Sequence, residues 1–199
     1  MATAKKVLVT EQDGTPKQLV FANHAGDFSP TAANDLRIST DASNETDVEL
    51  VLLNLADAAA AQSTKGDLGA NRAAEYACRA CIEMQVAVAD AGSVIDFYWS
   101  PSHHATAANG NAGACSGAAG AYTGYTADLS DAIQQLQYIG SMVMTDDAVS
   151  SIQIGEVGIL RTRERYGCLV MLNSTGEKLC DTDDIEAHVV LDPIVPEVQ

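Results

Sequence analysis

The chain has 199 residues, 47% of them hydrophobic, enough for one domain whose core buries about 70% of the unfolded-chain surface. A formal net charge of −16 argues against nucleic acid as a direct partner, because phosphate binding needs clustered Lys and Arg. No run approaches the roughly 18 consecutive apolar residues of a membrane span, and Met1-Ala-Thr-Ala-Lys-Lys leads into no apolar signal-peptide segment, so synthesis in a cytoplasm is expected.

The chain opens with two strand-like segments, Lys5–Thr10 and Lys17–Phe21, around the turn pair Asp13-Gly14, which reads as a hairpin. Residues 23–34 form a loop broken by Gly26 and Pro30, followed by a short strand at Leu36–Ser39. Asp47–Leu55 is a nearly continuous apolar run, as a central strand would be, and the Ala-rich 56–70 stretch has room for one short helix. In 71–88, Glu75, Arg79 and Glu83 stand four apart, as on a helix. Yet Tyr76, Cys78, Ala80, Ile82, Met84, Val86 and Val88 keep period two for longer than a helix would, so a long strand is expected.

Val94–Ser100 alternates so that Ile95, Phe97 and Trp99 share one face. Gln135–Met144 is read likewise, with Leu136, Tyr138, Met142 and Met144 together. Between them, residues 101–126 are nearly all small, the exceptions being His103, His104, Cys115, Tyr122 and Tyr125. Loops longer than about 12–15 residues are uncommon in compact domains and are usually functional or disordered. This one is expected to be a contact arm. Ser151–Leu160 carries interior glycines that mark bends or bulges, Tyr166–Asn173 is a further strand, and Ile185–Leu191 alternates in the last one. The tail 192–199 is extended around Pro193 and Pro196. About ten strands with little helix predict a single all-β domain over residues 1–199, an antiparallel β-sandwich of jelly-roll type with a long Ala/Gly-rich loop.

Motifs with chemistry are few. Cys78-Arg-Ala-Cys81 has zinc or redox spacing, but on a strand the two thiols point to opposite faces and no second pair completes a site. The five cysteines are an odd number and do not read as a disulfide framework; Cys115, in the arm, is the candidate for an intermolecular bridge. His103-His104 lacks further ligands, and Asp181–Asp184 lacks the glycine and glutamate of a calcium loop. No hydrolase, nucleotide or metalloprotease signature occurs, so no catalytic residue, cofactor or metal is assigned. Trp99 with Tyr98 could form a sugar platform, or Trp99 could belong to the core. Arg161, Arg163 and Arg165 gather three of the eleven basic residues at alternate positions. They could meet an acidic neighbour or pair locally with Glu164 or the Asp181–Asp184 turn.

Several stretches resemble virion structural proteins of tailed bacteriophages, with capsid decoration or cement proteins first among them. They are Asp96–Ser102, the arm's end Ala121–Tyr125, Leu136–Gly140, Arg163–Gly167 and Glu186–Pro193. The resemblance covers the second half of the chain and assigns no residue a role. It implies a non-enzymatic protein on a capsid surface, contacting the major capsid protein and copies of itself. The contact residues expected are Trp99, His103, His104, Cys115, Tyr122, Tyr125, Arg161, Arg163 and Arg165. A tail tube, adaptor or fibre-base component and a lectin-like carbohydrate-binding module are the alternatives.

Overall fold

The structure, a computed structural model, describes residues 16–38, 45–85, 88–126, 128–146 and 151–194. The expected strand at Lys5–Thr10 with its Asp13-Gly14 turn, and the end of the tail, lie outside them. The protein is all-β, the described residues forming eleven strands in one curled, mixed sheet, a half-barrel. The strands are β1 Gln18–Ala22, β2 Glu45–Glu49, β3 Ala60–Gln62, β4 Gly66–Asp67, β5 Glu75–Met84 and β6 Val94–Ser102. They continue with β7 Gly120–Tyr122, β8 Gln137–Val143, β9 Ser151–Arg161, β10 Tyr166–Ser174 and β11 His188–Ile194. Their order is β2-β1-β11-β5-β9-β8-β6-β10-β3-β7, with β4 also on β10.

The long strands follow their side chains. In β5, Tyr76, Cys78, Ala80, Ile82 and Met84 all point into the core, and in β6 Ile95, Phe97 and Trp99 do the same, each fully buried. The rings of Phe21 on β1 and Trp99 on β6 meet edge to face at 6.4 Å, although four strands separate β1 from β6 in the sheet. That contact requires the sheet to curl on itself. Its two edges approach where Thr64 N–H donates to the Glu49 carbonyl at 2.8 Å and Glu49 N–H donates to Thr64 Oγ1 at 3.1 Å. Among the described residues, β8 and β9 are joined by a single pairing, Gly140 with Gly158. A Cβ on Gly140 would lie 2.0 Å from the Val157 carbonyl oxygen, and one on Gly158 would lie 2.4 Å from that of Ile139, so only bare backbone can cross there.

Several expectations are corrected. β2 ends at Glu49, and the apolar residues after it enter a turn in which Asn54 has φ 59°. The Ala-rich 56–70 stretch contains no helix; its small residues allow β3 and β4 to lie flat against β10. Leu36–Ile38 is not strand. It belongs to a strap, residues 23–38, that covers the outer face of β11 and β5, with Thr31 N–H on the Glu186 carboxylate and Leu36 N–H on His188. Because that strap separates them, β1 and β2 run parallel, a departure from the antiparallel sandwich expected. A bulge at Ile139 reverses the phase of β8, so Ile139 is buried and Tyr138 is 55% exposed, opposite to its expected side. An unexpected one-turn helix, α1 Leu129–Ile133, starts at Asp128, whose carboxylate accepts the Asp131 N–H at 3.2 Å.

Candidate contact surface

The 101–126 arm is folded, and its two halves differ. The root packs on the outer face of β10 and β3, where Cys115 and Tyr122 join Ala60, Ala132, Leu136, Cys168 and Val170 in a second, smaller core. Gln62 organises it. Its side-chain oxygen accepts from the Cys115 thiol at 3.0 Å and from Ser116 N–H at 2.9 Å, and its amide nitrogen donates to Ser116 Oγ at 2.9 Å. The Tyr122 hydroxyl donates to the Gly113 carbonyl.

The tip, residues 103–110, is exposed but held. Lys65, between β3 and β4, sends its ammonium into a ring of oxygens: Ser102 Oγ at 2.9 Å and the carbonyls of His104, Thr106 and Asn109 at 2.8, 2.7 and 2.8 Å. None of these is a carboxylate, so the positive charge is solvated by dipoles and not cancelled. Burial lowers the Lys65 pKa from its ordinary value. Within the tip, Thr106 N–H donates to His104 Nδ1 at 3.1 Å, and the Asn111 side chain donates to the Ala107 and Cys115 carbonyls at 2.8 and 2.7 Å. His103 and His104 are therefore displayed on a closed loop.

The arginines lie at the same end of the molecule, since Tyr166, which follows them, pairs with Ser102 at the arm's start. They differ in their partners. Arg161 Nε donates to Glu75 at 2.7 Å, and Arg165 grips both oxygens of Asp67 at 2.7 Å and lies over the Tyr166 ring. The Arg165 guanidinium holds the Asp67 carboxyl below its ordinary value. Arg163 is exposed and has no ion-pair partner among the described residues, while its carbonyl accepts from the Arg72 guanidinium. Neither Glu164 nor the Asp181–Asp184 turn pairs with any of the three.

Three expected contact residues are not at the surface. Trp99 is fully buried, and Cys115 and Tyr122 are 4% and 2% exposed; their apolar bulk is spent on the two cores. Cys115 is therefore placed against Cys168 and Gln62, not on an open loop; the hydrogen bond that the two thiols share, and burial, push Cys168 upward. Tyr125 is 42% exposed, its hydroxyl donating to Gln135 at 2.9 Å. Cys78 faces the main core and Cys81 the strap, and burial pushes Cys81 up to about 12. In the acidic turn, Asp184 is 1% exposed and accepts from Asn23 at 2.9 Å and Leu52 N–H at 3.2 Å, a structural tie.

Sequence reasoning missed two features. Lys65 meets its acceptors across 37 to 44 residues of chain, so no local pattern marks it. Tyr138 stands on the outer sheet face, its ring 5.4 Å from that of Tyr98, its hydroxyl bonded to Ser141, which in turn donates to Asp96. Val143, Ile154 and Ile159 are exposed on β8 and β9 as well. In comparison with known proteins, no family model matches the chain and no curated sequence is detectably similar to it.

Proposed function

We propose that this chain is a non-enzymatic structural protein of a virus particle, a capsid decoration or cement protein that binds the shell exterior and bridges its subunits. The observation that carries the reading is the arm tip, displayed in solvent yet ordered in advance by the Lys65 ammonium. Pre-ordering removes much of the roughly 1–2 kcal/mol per residue that a loose loop would lose on docking. The exposed Tyr138, Val143, Ile154 and Ile159 and the unpaired Arg163 supply further contact chemistry. The resemblance of the second half to tailed-phage virion proteins supports the same reading. Its partners are then the major capsid protein and other copies of itself, and its place is the virion surface. The finer architecture proposed is a jelly-roll-type sandwich, since the single β8–β9 pairing leaves two groups of strands facing each other across one core.

Mass spectrometry of purified particles tests this. A copy number equal to that of the major shell protein, or a simple fraction of it, is expected; a few copies per particle would move the protein to the tail, and absence would end the virion reading. A second reading, a carbohydrate-binding module, is favoured by one observation: Tyr138, exposed and locked in orientation against Tyr98 beside Asp96 and Ser141. The platform belongs there and not at buried Trp99, so Tyr138→Ala, with the fold retained, is the variant that would abolish glycan binding.

A further inference from the structure

We infer that copies of this chain join head to tail, the Arg163 end of one docking on the Asp181–Asp183 end of the next. Strand directions define the two ends. Glu75, Ser102, Arg161 and Tyr166 close one, and Met84, Val94, Ser151 and Ser174 close the other. Where β5, β6, β9 and β10 close the first end stand, among the described residues, Lys65, Arg72, Arg161, Arg163 and Arg165, five of the eleven basic residues of the chain, against Asp67, Glu75 and Glu164, with Glu45 and Asp192 on β2 and β11 beside them. At the other end, Asp57, Asp90, Asp146, Glu177, Asp181 and Asp183 face solvent wholly or in part, with Lys178 the one cation among the described residues there. Lys178 is spent on Asp181.

Three of the five cations have no carboxylate partner among the described residues: Arg163, exposed without an ion pair, Arg72, whose guanidinium donates to the Arg163 carbonyl, and Lys65, surrounded only by neutral oxygens. A chain of net charge −16 repels its own copies in most orientations. Placing the positive end against the negative end is the arrangement in which proximity is attractive. At physiological salt the Debye length is about 8 Å, so the attraction acts only in direct contact and fixes register more than it adds affinity. The complementary surfaces lie at opposite ends of one chain, so the contact is heterologous and does not close a two-fold dimer. A second copy is the occupant because the chain itself carries the matching charge. The contact takes its purpose from the assembly reading proposed above, but it is tested on the purified chain, so its failure is separable from absence in particles.

The experiment is sedimentation velocity to high protein concentration with wild type, R163E, the D181K/D183K double variant and an equimolar mixture of the two. Wild type is expected to associate increasingly with concentration and less as salt is raised. Each variant alone should associate about tenfold more weakly. The mixture should regain association toward the wild-type level, because the double variant's intact basic end meets the acidic end of R163E and the two reversed ends are again opposite in charge. Melting curves check folding, with R163Q and D183N replacing any variant that loses stability. Wild type that stays monomeric, R163E that associates like wild type, or a mixture that stays monomeric would each overturn the contact. Monomeric wild type bound by an acidic particle protein would reassign the basic end to that partner.

Discussion

His188 is fully buried, with Nδ1 donating to the Glu186 carbonyl at 2.7 Å and Nε2 accepting Leu36 N–H at 3.0 Å. Because a backbone N–H can only donate, Nε2 must carry a lone pair, and the imidazole is neutral. Burial, the largest cause, lowers its pKa, helped by Arg37 and opposed by the Glu186 carbonyl and the charges of Asp35 and Glu186. The unfolded chain therefore takes up the proton more readily than the folded one. The stability that His188 contributes is whole above the unfolded value of about 6.5 and is lost as pH falls from there through the lower folded value. Denaturant unfolding should show falling stability over this window. His188→Gln, which can accept from Leu36 and donate to Glu186 but cannot titrate, should flatten that part of the profile. A slope that survives in the variant would assign the titration elsewhere.

At the scale of elements, what the sequence makes legible is whatever local alternation determines. β5 and β6 follow from period two, β9 and β10 are strands where the sequence reads them, and Ile95, Phe97 and Trp99 face inward as read. β8 was visible as a strand, but its facing was not, because the one-residue bulge at Ile139 exchanges its sides and no residue type announces it. β3 and β4 carry few apolar side chains and exist because β10 offers an edge. The arm reads as featureless for the same reason: its order comes from Gln62 and Lys65, partners distant in sequence. Hydrogen bonds to a charged donor contribute roughly 1.5–3 kcal/mol each, and Lys65 shares its three N–H groups among four oxygens. Lys65→Met keeps much of the bulk and loses the donors. Hydrogen exchange at the His104, Thr106 and Asn109 amides should accelerate at least about tenfold while the β6 and β10 amides stay protected. Unchanged exchange at the tip would mean that Lys65 is not its anchor, and would remove the main support for a pre-ordered contact.

At the scale of the whole molecule, one core is enclosed by strands whose two groups touch through little backbone: the Gly140–Gly158 pair and the Glu49–Thr64 link. If the enclosure depends on the crossing, a methyl group there should damage the entire fold, since both groups of strands bury the same side chains. Gly140→Ala is the direct probe, because its Cβ would meet the Val157 carbonyl oxygen at 2.0 Å and backbone must move to admit it. Gly69→Ala is the control. That residue has φ +86° with nothing within 4 Å of its Cβ, so the substitution costs only left-handed strain, roughly 1–2 kcal/mol. Overpacking against fixed backbone should cost more, about 3 kcal/mol. Equilibrium unfolding should therefore rank Gly140→Ala below Gly69→Ala and keep a single transition for both, as expected when the main core takes side chains from both groups of strands. Two separated transitions in Gly140→Ala would show that the strand groups are stable apart. Equal losses in the two variants would show that the crossing yields without disturbing the core.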